Sequence, residues 1–146
     1  MQSEMKSASG GRNETTSVSG VEEKDREIWV EENRLYLGED NILYISRVGD
    51  IDEKLAILFR EKVLKLIDRQ ECKINFIVDL AMAGKEASEA RKIFKEISEN
   101  NKVEKISMIG LHPVARVLAS FIMGISRNKN MRIFKTKEEA LAWLKE

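Results

Sequence analysis

Ile74–Phe94 reads INFIVDLAMAGKEASEARKIF. Its opening, Ile74–Leu80, is a nearly continuous apolar run bounded by charge, the pattern of a strand covered on both faces by helices. Ala81 to Gly84 read as a loop. From Ala87 the apolar residues Ala87, Ala90, Ile93, Phe94 and Ile97 recur at helical spacing, which predicts a helix over about 87–100. A buried strand running straight into a helix implies parallel neighbours and further helices on either side.

The flanking sequence supplies them. RLYLG and NILYISRV carry the β-branched and aromatic alternation of strands, and the Gly38–Asn41 turn between them suggests a hairpin. From Asp52, Leu55, Leu58, Phe59, Val63, Leu66 and Ile67 form a helical stripe that Asp50 or Asp52 can cap. Further on, KISMIG reads as a buried strand, and Pro113 suits the first turn of a helix whose stripe is Val114, Val117, Leu118, Phe121, Ile122 and Ile125. MRIF is a short strand. Thr136 and Glu139 stand in capping-box relation before Leu141 and Leu144. The order is that of an α/β sandwich, with a mostly parallel central sheet of four to five strands and about four helices.

Residues 1–26 are rich in Ser, Thr and Gly without apolar periodicity and read as a disordered tail; residues 27–146 read as a single domain. Within the junction, Ile28, Trp29 and Val30 suit either an edge strand or a docking segment.

Composition excludes several function classes. Lys plus Arg and Asp plus Glu both total 25, so no net field draws in nucleic acid or anionic lipid. NNKVEK and RNKNMR are basic turns without stacking aromatics, which reads as solvated surface. One cysteine, Cys72, rules out an internal disulfide; it reads as a small buried group at a strand entrance, in a reducing compartment. No stretch is long and apolar enough for stable membrane insertion or a secretory leader, so a cytoplasmic protein is expected. Glycine-rich phosphate fingerprints and metal-ligand spacings are missing, so no cofactor and no metal are expected. Asp79 and His112, the single histidine, should lie with Gly84 at one end of the sheet, yet no activated nucleophile or second base accompanies them, and the chain reads as a non-enzyme. Met82, Ala119, Met123 and Trp143 read first as packing residues, the methionines and Ala119 alternatively as an exposed apolar patch.

Four pieces in order, ILYISRVGDID, IVDL, ISMIGLHPVARVL and RIFKTKEEALAWL, make the chain resemble the STAS family (sulphate transporter and anti-sigma-factor antagonist), in particular its stand-alone SpoIIAA-like members, over about Asn33 to Lys145. In such antagonists a kinase phosphorylates a serine at the start of the helix after the central strand. Counting from Asp79 and Leu80, that position is Ser88, flanked by Ala87, Glu89 and Ala90 where the family pattern carries Asp, Ser and Gly. At roughly 100° per residue Ser88 lies opposite the apolar stripe and should face solvent. The resemblance implies a protein-interaction module whose docking surface comprises Asp79, Met82, Gly84, Lys85, Glu89, Arg91 and Lys92, and whose partner is a serine kinase acting as an anti-sigma factor. The reading from a different class is a small-molecule or lipid-like ligand held at Gly110, Leu111 and His112, since ligands of open α/β sheets gather at strand ends.

Overall fold

β-Branched and aromatic residues at period two build the first three strands. β1 (Glu27–Val30) turns through Glu31 and Glu32 into β2 (Asn33–Leu37), and β2 turns through Gly38–Asn41 into β3 (Ile42–Ile51), both pairings antiparallel. The second turn closes with the Asn41 N–H donating to the Gly38 carbonyl at 3.2 Å, and Asn41 takes the left-handed conformation at φ 63°. From β3 onward the chain alternates: α1 (Glu53–Ile67), β4 (Ile74–Glu86), α2 (Ser88–Ser98), β5 (Val103–Ile109), a helical turn at 113–116, β6 (Met131–Ile133) and α3 (Lys137–Leu144). β3 to β6 are parallel, and the six strands lie side by side in chain order. The computed structural model describes residues 26–116 and 130–146. The tail before Arg26, the stripe from Val117 to Ile125, Ala119, Met123 and the first half of RNKNMR lie outside the described residues.

Among the described residues the sheet has one strand more than the four to five expected. The addition is β1, where Ile28 and Val30 turn inward while Glu27 and Trp29 face out. One face of the sheet packs against α1 and α2 through Leu35, Leu43, Ile45, Phe76, Val63 and Ile93, with Phe59 and Phe94 meeting edge to face at 5.5 Å. The other face, smaller, packs Ile42 and Ile77 against Ala140, Trp143 and Leu144 of α3. Trp143 is thus the packing residue expected.

Helix starts follow their caps. The Asp52 carboxylate, not that of Asp50, accepts the Leu55 N–H at 2.8 Å, and the Thr136 hydroxyl accepts the Glu139 N–H at 3.1 Å. Two sequence readings fail. Leu58 is exposed and Ala56 takes its place in the core, because the stripe of α1 turns slightly away from the positions that spacing alone selects. Cys72 is exposed too: β4 begins at Ile74, leaving the thiol in the bend that precedes it.

Candidate functional site

The strand that carries the site is longer than its sequence suggests. β4 runs thirteen residues to Glu86, so Met82, Gly84 and Lys85 belong to a strand rather than a loop. They are held there by the end of β3: Val48 lies opposite Met82, Gly49 opposite Ala83 and Ile51 opposite Glu86. Two irregularities, between Ser46 and Val48 and between Gly49 and Ile51, each insert one extra β4 residue and twist this end of the pair. Gly84 is required at the crossing, because a Cβ there would stand 2.2 Å from Asp50 Oδ1 and 2.9 Å from the backbone of Gly49 and Asp50. The Asp50 carboxylate meanwhile accepts the Lys85 N–H at 2.7 Å.

From these paired ends two helices depart side by side. The Ala87 N–H donates to the Ile51 carbonyl at 3.0 Å, so α2 begins next to α1. Their amino ends differ. Asp52 fills that of α1, whereas Ala87 offers α2 no side-chain cap, which leaves its first-turn N–H groups without a capping side-chain acceptor. Ser88 is the first residue of α2 and is exposed, its hydroxyl 3.4 Å from Glu89 Oε1. Ala90, Ile93 and Ile97 are buried on the opposite side. Arg91, one turn on, lies 3.9 Å from the Glu86 carboxylate and donates to the Glu86 carbonyl at 3.3 Å. Glu89, Arg91 and Lys92 are exposed, and Met82 is 69% exposed rather than packed.

Asp79 does not join this cluster. It pairs with Ile109, five residues before Gly84, or about 16 Å along a strand. Its carboxylate accepts the Ala81 N–H at 3.0 Å. Gly110, at φ 86°, presses against the same place: a Cβ there would be 2.6 Å from the Ala81 N and 2.6 Å from Asp79 Oδ1. Backbone therefore fills the strand end at Gly110, next to half-buried Leu111. His112 serves the turn that follows, Nδ1 accepting the Val114 N–H at 3.3 Å and its carbonyl accepting the Arg116 N–H at 2.8 Å. The expected grouping of Gly84 with His112 thus splits in two, because β4 overshoots β5. Among the described residues no group of His, Cys, Asp and Glu could hold a metal, and no helix is long and apolar enough to cross a membrane.

Sequence reasoning missed two features. Arg47, buried beside Leu43 and Ile45, donates to Asn33 Oδ1 at 2.5 Å and to the Gly49 carbonyl at 3.1 Å, so it braces the bulge that leads to Asp50. Alternation along NILYISRV does point Arg47 inward, but an arginine is discounted there until its partner is known. The second is an open groove at the other end of β3, lined by Arg34, Tyr36, Gly38, Asp40, Tyr44 and Lys137 among others. Lys137 and Arg34 lie over the Tyr44 and Tyr36 rings, and the Tyr44 hydroxyl donates to Asp40 at 2.7 Å.

Burial, then the bond to Asp40 and its charge, push the Tyr44 phenol up to about 12 from 10.0. The folded chain holds this proton more tightly than the unfolded one, so the stabilisation is complete below pH 10.0 and is lost as pH rises through about 12. Absorbance titration near the phenolate band should show the late ionisation, and Asp40→Asn should bring it earlier. An unchanged titration in that variant would refute the role of Asp40.

A family model described as a domain of unknown function, DUF7793, matches residues 36–146. The chain belongs to the DUF7793 family. No curated protein matches it. The DUF7793 chain is similar in structure to an uncharacterised protein of the DUF3478 family with a SpoIIAA-like fold from Shewanella loihica PV-4, at 14% identity and TM-score 0.60 over 77% of this chain and 91% of that one. It is also similar to the anti-sigma factor antagonist SpoIIAA in its unphosphorylated form (14% identity, TM-score 0.56, 77% of this chain and 97% of that one). A third similar structure is a Thermotoga maritima protein assigned as an anti-sigma factor antagonist (12% identity, TM-score 0.60, 80% and 97%). At such identities the likeness is one of fold, and the SpoIIAA-like sandwich expected from the sequence is the fold of this DUF7793 chain.

Proposed function

We propose that this DUF7793 chain is a non-enzymatic regulatory module that docks a protein partner through the end of β4 and the first turn of α2, with phosphorylation of Ser88 as its switch. The observation that carries this reading is the exposed Ser88 hydroxyl at an amino end lacking a side-chain cap. A phosphate there meets open N–H groups and the positive end of the helix dipole, so the fold tolerates it. Arg91 and Lys92, three and four residues on, lie on the same side of the helix, and a phosphate would compete with Glu86 for Arg91. Glu89 opposes it by charge. Nearly two added negative charges would change the docking surface of Met82, Lys85 and Arg91 without moving the core beneath. By fold, the fitting partner is a serine kinase of the anti-sigma-factor kind, since two similar structures carry the name antagonist.

The ligand-binding reading lacks comparable support, since backbone occupies the space at Gly110. Mass spectrometry of the chain recovered from its own cells tests the proposal, together with capture by Ser88→Ala and Ser88→Asp variants. The expected results are a phosphate on Ser88 and a protein partner whose capture Ser88→Asp changes by about tenfold while Ser88→Ala does not. Full peptide coverage with neither phosphate nor partner would overturn it.

A further inference from the structure

We propose that Glu86 is a movable counter-ion shared by two arginines, exposed Arg91 and buried Arg47, so that a phosphate on Ser88 which takes Arg91 sends the Glu86 carboxylate to Arg47 and tightens the β1–β2 hairpin. Resting on the Ser88 reading above, this exchange gives the switch an internal output. Arg47 is the group left unexplained. It is 3% exposed, no carboxylate among the described residues forms an ion pair with it, and its Nε has no hydrogen-bond partner. A buried guanidinium in that state is costly, and a carboxylate is the acceptor it lacks. Its remaining bonds tie it to the hairpin: Asn33 Oδ1 accepts from Nη1 at 2.5 Å, and Asn33 Nδ2 donates to the Val30 carbonyl at 2.9 Å. Whatever fixes Arg47 therefore fixes the end of β1.

Glu86 is the carboxylate placed to supply it. Arg47 alternates with Leu43, Ile45 and Ile51 onto the sheet face that α1 and α2 cover, and Glu86 is the register partner of Ile51. Arg47 reaches along β3 in that direction, its Nη2 donating to the Gly49 carbonyl at 3.1 Å. The charge of Glu86 already acts on Arg47, raising its pKa against the larger effect of burial. Asp50 acts on it too, but that carboxylate is committed to the Lys85 N–H at 2.7 Å. Glu86 is not committed. Among the described residues its carboxylate accepts no hydrogen bond, and its ion pair with Arg91 Nε is a loose 3.9 Å.

Phosphate on Ser88 shifts this balance in two ways. It offers Arg91, one turn on, a stronger and bidentate partner, and it repels the carboxylate two residues before it. The Glu86 side chain is only 32% exposed, so the buried guanidinium, in surroundings of low dielectric, is the strongest attraction left to it. Reaching it takes a change of rotamer and no movement of backbone. The two positions of one carboxylate thus form the bistable element that links the surface of α2 to the hairpin.

Hydrogen exchange followed by NMR, on the full chain with phosphoserine incorporated at position 88, tests the coupling without any partner. The Arg47 Nε–H resonance should move downfield and exchange about fivefold more slowly than in the unmodified chain. The Val48 N–H, held by Asn33 Oδ1 at 2.8 Å, should slow with it, while the Ala140 N–H of α3, held by the Thr136 carbonyl at 3.2 Å, should not change. Arg91→Ala, a surface substitution, frees Glu86 without phosphate; it should slow the same two protons and make phosphoserine inert. Glu86→Gln should abolish both responses. An Arg47 proton indifferent to phosphoserine, equal slowing of all three protons, or a response that survives Glu86→Gln would each overturn the coupling and leave partner docking standing. An unmodified Ser88 in cells would remove the docking switch instead, and the coupling would still be read in the phosphoserine chain.

Discussion

Asn33→Ala should destabilise the chain by about 3 kcal/mol, far beyond the usual effect of a single polar truncation. Asn33 is buried at the start of β2, where its Oδ1 accepts from Arg47 Nη1 at 2.5 Å and from the Val48 N–H at 2.8 Å. Its Nδ2 donates to the Val30 carbonyl at 2.9 Å. Truncation takes from a buried guanidinium its side-chain acceptor, leaving it the Gly49 carbonyl, and leaves the Val48 N–H without its acceptor. Burial already pushes the Arg47 guanidinium below its ordinary pKa, with Glu86 and Asp50 pulling it back, and its Nε has no partner among the described residues. Removing the charge itself should therefore cost less: about 1 kcal/mol for Arg47→Met. The double variant should be more stable than the sum of its parts implies, because Asn33→Ala then no longer takes an acceptor from a buried charge. Urea denaturation of the four proteins measures this, and strictly additive losses would refute the brace.

Gly110→Ala should cost about 3 kcal/mol, the sum of two penalties that can be separated by experiment. At φ 86° an L side chain is strained, and the new Cβ would stand 2.6 Å from the Ala81 N and 3.1 Å from the Ala81 Cα. Backbone cannot swing aside as a side chain can, so β4 and the end of β5 would have to part. Gly49 supplies the control: its φ is 78°, yet nothing lies within 4 Å of its added Cβ. Gly49→Ala should therefore show the conformational part alone, about 1 kcal/mol. Equal losses at the two glycines, read from denaturation midpoints, would remove the steric argument.

Much of the fold is legible because periodicity is local. Ala90, Ile93 and Ile97 mark the buried side of α2 in the bare sequence, and the same spacing turns Ser88 to solvent, as found. Asp52 and Thr136 announce their helices by residue type. Other features carry no local mark. Ala-Met-Ala-Gly-Lys-Glu has weak strand propensity, and it becomes strand only because β3 reaches far enough to pair with it. That pairing separates Gly84 from Asp79 and gives Asp50 its bond to Lys85 in place of a helix cap. The Trp29 segment is ambiguous for a similar reason, since four residues suffice for a strand only beside a partner.

Sequence alone determined the alternation of strands and helices and the outward placement of Ser88, since side-chain period and capping chemistry act within a few residues of chain. Tertiary structure decided how far β4 extends, which glycines are pressed against backbone and which groups hold Arg47. Those depend on register between strands far apart in the chain, and register is set by packing rather than by any local pattern.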